Sequence, residues 1–212
     1  MKTSRLILLN ALIFLVIMAA GVGGYYYYFQ QSHYVITDDA KVKGDIMPVH
    51  ATASGKLSKW DEQEGETVQK GDVLGVVTGA KGKKVEIQAP MDGTLLQNQV
   101  HEGQTITPGQ PLVNLVDMDQ LYIEANIEET DLKDVKEGAS VEVTVDAQSD
   151  TTFDGEVEQI GLATASTFSL MPEQNASGDY TKTVQRIPVK IKIDSDAPEL
   201  IPGLNATVRI SK

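Results

Sequence analysis

Apolar positions change their rhythm near residue 30. From Leu6 to Gly24 the chain carries no charge and is interrupted only by Asn10. As helix that run is roughly 28 Å long, enough for a bilayer core. Tyr25 to Tyr28 and Phe29 follow it as an aromatic belt, and Lys2 and Arg5 precede it. The pattern predicts a short cytoplasmic stretch over 1–5, a transmembrane helix over 6–28 with its N-terminus inside, and everything later on the outer side. A cleaved signal peptide is the alternative, since Ala19, Ala20 and Gly21 are small. The apolar run is long for that, and no Ala-x-Ala site closes it.

After Phe29 the rhythm becomes that of strands. Residues 34–44 alternate well enough for a strand leading away from the membrane, with 34–47 joining it to a later barrel. Sliding the chain on itself by 38 positions matches 49–77 with 87–115 without a gap. Gly55 then meets Gly93, Leu57 meets Leu95, Glu64-Gly65 meets Glu102-Gly103, Thr67 meets Thr105, Gly71 meets Gly109 and Leu74 meets Leu112. Lys70-Gly71 and Pro108-Gly109 stand at one equivalent turn, and Pro-Gly suits a type II turn. The apolar runs between turns are short and β-branched, so two half-modules related by a pseudo-two-fold axis are expected to close one flattened barrel over 48–118, with 78–86 as the link.

From 119 to 212 the pattern predicts a second, antiparallel β-barrel. Strands are expected at 121–127, 141–145, 153–160, 184–193 and 206–210. Glu128 to Val135 suits a short helix ended by Gly138, and Pro188 suggests an edge or a strand start. The fold class is therefore mostly β, with one N-terminal transmembrane helix.

Composition narrows the chemistry. The chain has 212 residues, 41% hydrophobic, and no cysteine, which excludes disulfides, thiolate nucleophiles and zinc-thiolate sites. Its 18 basic and 30 acidic residues give a net charge of −12, which argues against binding nucleic acid or anionic lipid. His33, His50 and His101 share no ligand spacing, so no metal is expected. Asp38-Asp39 and Glu128-Glu129 read as solvated acids, because neither pair has a His or a third acid beside it. Asn175-Ala176-Ser177 and Asn205-Ala206-Thr207 match glycosylation sequons, a short pattern that arises often by chance. No Gly-x-Ser-x-Gly, His-Glu-x-x-His or phosphate loop occurs, so no catalytic residue is assigned and no enzyme is expected. The segment 165–180 is the candidate partner contact, through Phe168, Leu170, Met171, Pro172, Asn175 and Gly178. A loop that folds back to complete the barrel core is the other reading of it.

The repeat, with Ala89-Pro90-Met91-Asp92-Gly93-Thr94-Leu95 opening its second half, resembles the biotinyl/lipoyl domain. That resemblance implies either a carrier with a modified lysine between the halves or an export adaptor without one. Counting back from Ala89-Pro90, the modified position falls on Gly82, and neither Asp-Lys-Ala nor Met-Lys-Met surrounds Lys81, Lys83 or Lys84. No cofactor is therefore expected. Thr37-Asp38-Asp39-Ala40, residues 122–132, Pro202-Gly203-Leu204 and above all 165–194 resemble membrane fusion proteins of the HlyD family, in its EmrA-like branch, and the likeness runs to Ile210.

The family resemblance implies a homo-oligomeric adaptor of a multidrug or small-molecule export transporter, of the major facilitator type rather than ABC, in the cytoplasmic membrane. Members that bridge to an outer-membrane channel carry a coiled-coil hairpin between the lipoyl halves. Here only the seven residues 78–84 stand in that place, and no heptad run follows the anchor. Seven extended residues span about 25 Å, so docking to such a channel is not expected. A membrane-tethered binding or structural module without a transporter is the alternative function. The anchor itself is tested by mass spectrometry of membrane-extracted protein: Lys2 should still be attached, whereas a mature chain starting near Val22 would mean cleavage.

Overall fold

The computed structural model describes residues 12–25, 33–164, 167, 184–194 and 200–212. Residues 12–25 are helical and expose Leu12 to Met18, Val22 and Tyr25. No helix among the described residues is long and apolar enough to cross a membrane, and the rest of the 6–28 run lies outside them.

Strand β1 (Tyr34–Lys43) comes next, then β2 (Ile46–His50), β3 (Gly55–Trp60), β4 (Thr67–Val68) and β5 (Val73–Thr78). The second half of the repeat supplies β6 (Lys84–Gln88), β7 (Gly93–Asn98), β8 (Thr105–Ile106) and β9 (Pro111–Val116). The remaining strands are β10 (Tyr122–Glu128), β11 (Ser140–Val145), β12 (Thr152–Ile160), β13 (Arg186–Ile193) and β14 (Asn205–Ser211).

The repeat folds as two four-stranded sheets, in the orders β2-β9-β7-β4 and β6-β5-β3-β8. Each sheet takes two strands from each half, so the flattened barrel is an interlocked sandwich. The offset of 38 governs its register as well as its sequence. In β3 against β5, Lys56 faces Thr78 and Leu57 faces Val77, and after a bulge Lys59 faces Val76. In β7 against β9, Thr94 faces Val116 and Leu95 faces Leu115, and after the same bulge Gln97 faces Asn114. The pairing of β5 with β6 maps likewise onto that of β9 with β2, irregularity included. Structural equivalence thus covers 46–78 and 84–116, a little more than the sequence match.

Turn chemistry repeats too. Gly65 N donates to Leu95 O at 2.7 Å, and Gly103 N donates to Leu57 O at 2.6 Å. Gly65, Gly71, Gly103 and Gly109 all have φ between +83° and +95°, where a side chain is strained. Gly55 and Gly93 are glycine for another reason: a Cβ on Gly55 would sit 2.4 Å from Thr78 O, and one on Gly93 would sit 2.7 Å from Val116 O. Backbone passes so close there that no side chain fits.

The sandwich core holds Leu57, Leu74, Ile106, Leu112 and Leu115 at 1% exposure or less. Burying each such side chain contributes about 2 kcal/mol. Symmetry breaks where volume must be shared. Trp60 lies over Gly75, whose added Cβ would meet the indole at 2.6 Å, while the equivalent pair is Asn98 with Val113. A large residue faces a small one in one half, and two medium residues meet in the other. The Trp60 indole Nε1 is buried without a hydrogen-bond partner.

The other strands form a closed barrel in the order β1-β10-β13-β12-β11-β14. Alternation puts Ile123, Ala125 and Ile127, then Val141, Val143 and Val145, and Ile187, Val189 and Ile191 inside. Lys212 N donates to His33 O, and Val42 N to Leu204 O, so β1 and β14 close the barrel antiparallel. In β1 the buried phase slips between Asp39 and Ala40, as at a bulge, and Asp39 N bonds Thr37 Oγ1 at 3.1 Å. The expected helix at 128–135 is instead a strand end and one 3-10 turn, Leu132–Asp134. Val135 is already extended and buried, which leaves too few residues for an α-turn to propagate. Pro188 is the third residue of β13, near a strand start but in a barrel without an edge.

Gly55→Ala and Gly93→Ala should each lower the unfolding free energy by about 2 kcal/mol, from forced backbone displacement at equivalent places. Urea unfolding of the two variants measures this. An unchanged midpoint in either would mean that the close approach is not a constraint.

Candidate partner surfaces

Three surfaces follow from the residues upward. The first is one rim of the barrel. Glu129 N donates to Gln185 O, and Gly161 N donates to Pro188 O at 2.8 Å, so the end of β10, the start of β13 and the end of β12 lie side by side. β1 begins on the same rim, since Thr37 Oγ1 donates to Asn126 O at 3.0 Å. The connection from 161 to 185 therefore leaves and re-enters the barrel where the chain arrives from its N-terminal helix. It joins antiparallel neighbours that a few residues would connect. Phe168, Leu170, Met171, Pro172, Asn175 and Gly178 lie outside the described residues.

A cleft of about 230 Å³ opens in this rim, lined among others by Thr37, Asp38, Asn126, Glu128 and Arg186. The two acidic pairs read as solvated thus contribute one residue each to a shared cleft. Asp39 turns to Arg186 in an ion pair instead. A pairing 147 residues apart has no local signature, which is why the sequence pattern did not show it. Further ion pairs cross other strand seams: Lys43 to Glu124 at 2.6 Å, Lys190 to Glu158 at 3.0 Å, and Arg209 to Glu142 at 3.5 Å. Arg209 also stands 5.4 Å from the Tyr34 ring centre. These exposed pairs add little stability each.

The second surface is the link between the halves. Ala80–Gly82 form a single 3-10 turn, closed by Gly79 N donating to Lys83 O at 2.8 Å. Gly82, at the place a carrier lysine would take, has φ +77°. The chain reverses within the link and returns directly into β6.

The third is the acidic turn after β3. Asn98 N donates to Glu64 Oε1 at 2.9 Å, and Gln63 N donates to Glu66 Oε2 at 3.3 Å. Partial burial, then the charges of Glu66, Asp61 and Asp72, raises the pKa of the Glu62 carboxyl. The turn is a crowded patch of negative charge. It lies in the first half only, because the equivalents of Asp61, Glu62 and Glu66 are Gln99, Val100 and Gln104.

Two family models match the chain: the YhbJ barrel-sandwich hybrid domain over 45–117 and the YknX-like beta-barrel domain over 121–210. The "Putative efflux system component YhbJ" of Bacillus subtilis (strain 168) is 50% identical over 212 residues, which is 100% of this chain and 95% of that protein. The chain belongs to the HlyD-type membrane fusion proteins, in their EmrA-like branch. This membrane fusion protein is also 40% identical over 113 residues to the "Probable multidrug resistance protein EmrK" of Escherichia coli (strain K12). That match covers 53% of this chain and 29% of the relative, so the aligned segment spans less than a third of the longer protein. Among solved structures, the periplasmic adaptor protein EmrA aligns with a TM-score of 0.57 and 17% identity, over 84% of this chain and 98% of that one. At that identity the likeness is one of fold.

The Glu62 carboxyl yields a pH prediction. A carboxyl whose pKa is raised by folding destabilises the native state once pH exceeds the raised value, and costs nothing below its unfolded value. Glu62→Gln should therefore raise the melting temperature at pH 7, with the gain vanishing as pH falls below the ordinary glutamate range. Equal melting temperatures at pH 7 would show that solvent screens the crowding completely.

Proposed function

We propose that this chain is the non-catalytic adaptor subunit of an export transporter, held in the cytoplasmic membrane by the helix over 6–28 with both β regions on the outer side. The observation that carries the reading is the 50% identity, over the whole chain, with a protein whose name describes an efflux system component. Hydrophobic and multidrug-type small molecules are the expected cargo, and a major facilitator transporter the expected membrane partner. Energy coupling and substrate selection then belong to that partner. The adaptor's part is to guide or gate what leaves the transporter's outer mouth, as a homo-oligomer around it.

Two features support a reading confined to the membrane's vicinity. The link over 78–84 turns back within one 3-10 turn, which leaves no hairpin to reach an outer-membrane channel. The described ends of the 161–185 connection lie on the rim at which β1 enters, which with the N-terminal helix in the bilayer is the rim nearest the membrane in chain order. Phe168, Leu170 and Met171 then supply apolar contacts to that partner.

Replacing Phe168, Leu170 and Met171 together by Ser should abolish co-purification of the transporter from native membranes while urea unfolding of the adaptor stays unchanged. Retained co-purification would remove 165–180 from the contact. If no polytopic transporter accompanies even the unaltered chain, the tethered-module reading replaces this one.

A further inference from the structure

The link between the halves and its equivalent after the second half are one backbone carrying opposite charge. The 3-10 turns Ala80–Gly82 and Met118–Gln120 lie 38 positions apart, the offset that governs the strands. Around the first turn the sequence is Gly79-Ala80-Lys81-Gly82-Lys83, and around the second it is Asp117-Met118-Asp119-Gln120-Leu121. Asp117 caps its own turn, accepting from Asp119 N at 3.0 Å. The fold therefore permits either sign at this turn, and the basic charge of the link is a property of this sequence rather than of the backbone.

Two acid-free stretches meet at the link. No Asp or Glu occurs from 46 to 60 or from 73 to 85, in a chain with 30 acidic residues. Thr78 pairs with Lys56 on one side and Lys84 on the other, so these lysines stand in one row. Two strand spacings put their backbones about 10 Å apart. Lys56, Lys59, Lys81, Lys83 and Lys84 are five of the six lysines in residues 48–118, so the basic charge of the sandwich is gathered here. Lys56, Lys83 and Lys84 are exposed, and among the described residues none of the three is in an ion pair. Lys59 is engaged with Asp61 at 3.1 Å. Glu86 in the next row, and Glu102 beside the Gly103 turn over which the Lys56 stem lies, bound the patch. The acidic turn after β3 begins five residues beyond Lys56. That is about 16 Å along a strand, roughly two Debye lengths at physiological salt. The chain's net charge of −12 therefore does not set the field at the link.

An open trough of about 610 Å³ runs over the same face, lined by Ser58, Lys59, Val76, Thr78, Lys84 and Glu86. Its hydroxyl protons are turned to the protein: Thr78 Oγ1 donates to Ser58 Oγ at 2.9 Å, and Ser58 Oγ donates to Val76 O at 3.0 Å. With those donors engaged and Glu86 in the wall, the trough has no donor set to close around one small anion. Contact with an anion falls to the ammonium groups, which are mobile point charges without a fork geometry. Nor does the face suit a folded acidic protein. Interface cores are rich in aromatics and Arg and poor in Lys, and the rows Lys84-Thr78-Lys56-Thr105 and Glu86-Val76-Lys59 hold neither aromatic nor Arg. The same lack removes the stacking on which single-stranded nucleic acids depend. A long, flexible chain of anions fits what is left, held by charge alone and released by salt. We propose that the lysines at the link bind a linear phosphate polymer without bases. This goes beyond the export reading and does not rest on it.

Titrating the full chain, reconstituted in neutral phosphatidylcholine vesicles, with inorganic polyphosphate tests the proposal. Binding should saturate and should weaken about tenfold or more between about 50 and about 200 mM salt, as release of several counterions requires. Lys56→Gln, Lys83→Gln and Lys84→Gln together should cut the affinity about tenfold or more. Lys133→Gln, Lys136→Gln and Lys192→Gln remove the same charge from exposed positions of the barrel region and should change it less than about twofold. Arginine at 56, 83 and 84 should keep the binding, since it keeps the charge. No binding, an equal loss in the two Gln variants, or tighter binding of poly-L-glutamate than of polyphosphate would each overturn the proposal, the last by assigning the lysines to an acidic protein segment. Should the Lys56, Lys83 and Lys84 variant fail to melt cooperatively, the unaltered chain decides: bound polyphosphate should protect Lys83 and Lys84 from acetylation and leave Lys133 and Lys136 reactive, and equal reactivity would overturn the proposal.

Discussion

Everything in the sandwich depends on two places where backbone touches backbone. Gly55 against Thr78 and Gly93 against Val116 are one contact made twice, once in each half, where a strand passes its neighbour too closely for any side chain. Because each sheet draws two strands from each half, neither half can bury its own apolar face. Stability is then a property of the pair, and the domain unfolds as one unit. Identity between the halves survives where this geometry is strict, at Gly55, Gly65, Gly71 and their partners. It relaxes where only total volume matters, as at Trp60 with Gly75 and Asn98 with Val113.

What was legible in the sequence follows the same division. Turn glycines and alternating β-branched runs are local signals, so the repeat, its turns and the barrel strands could be placed from residue order alone. The offset found in the letters is the offset found in the register. Long-range electrostatics left no such trace: Asp39 looked like half of a solvated pair until β1 and β13 came near each other, bringing Arg186 to it. The helix expected at 128–135 failed because Val135 is claimed by the core before a second turn can form. The contact segment around Phe168 was chosen on composition, and the structure adds the rim from which it departs. Sheet topology, and with it the contrast between two equivalent faces, became visible only once pairing was known.

The two β regions of the chain handle charge differently. Around the barrel, cations and anions are matched across strand seams, as with Lys43 and Glu124 or Lys190 and Glu158. In the sandwich, charge is sorted by sheet: the strands of one sheet carry Lys56, Lys59, Lys84 and Glu86, and those of the other carry no Lys, Arg, Asp or Glu. A backbone duplicated in place gives two surfaces for one folding solution. Only one of them has to keep the domain soluble, which frees the other to specialise.

The order in which the chain emerges gives the β1–β14 seam a further meaning. β1 (Tyr34–Lys43) precedes the whole sandwich, yet its barrel partner β14 (Asn205–Ser211) comes after every other described strand. A chain made from its N-terminus onward can complete the sandwich while the barrel still lacks its closing stave. Until β14 arrives, β1 keeps an open edge next to the N-terminal segment, and a chain that stops early never hides it. The seam thus works as a completeness check: only a chain that has reached β14 loses the exposed edge by which proteases and aggregation recognise an unfinished one.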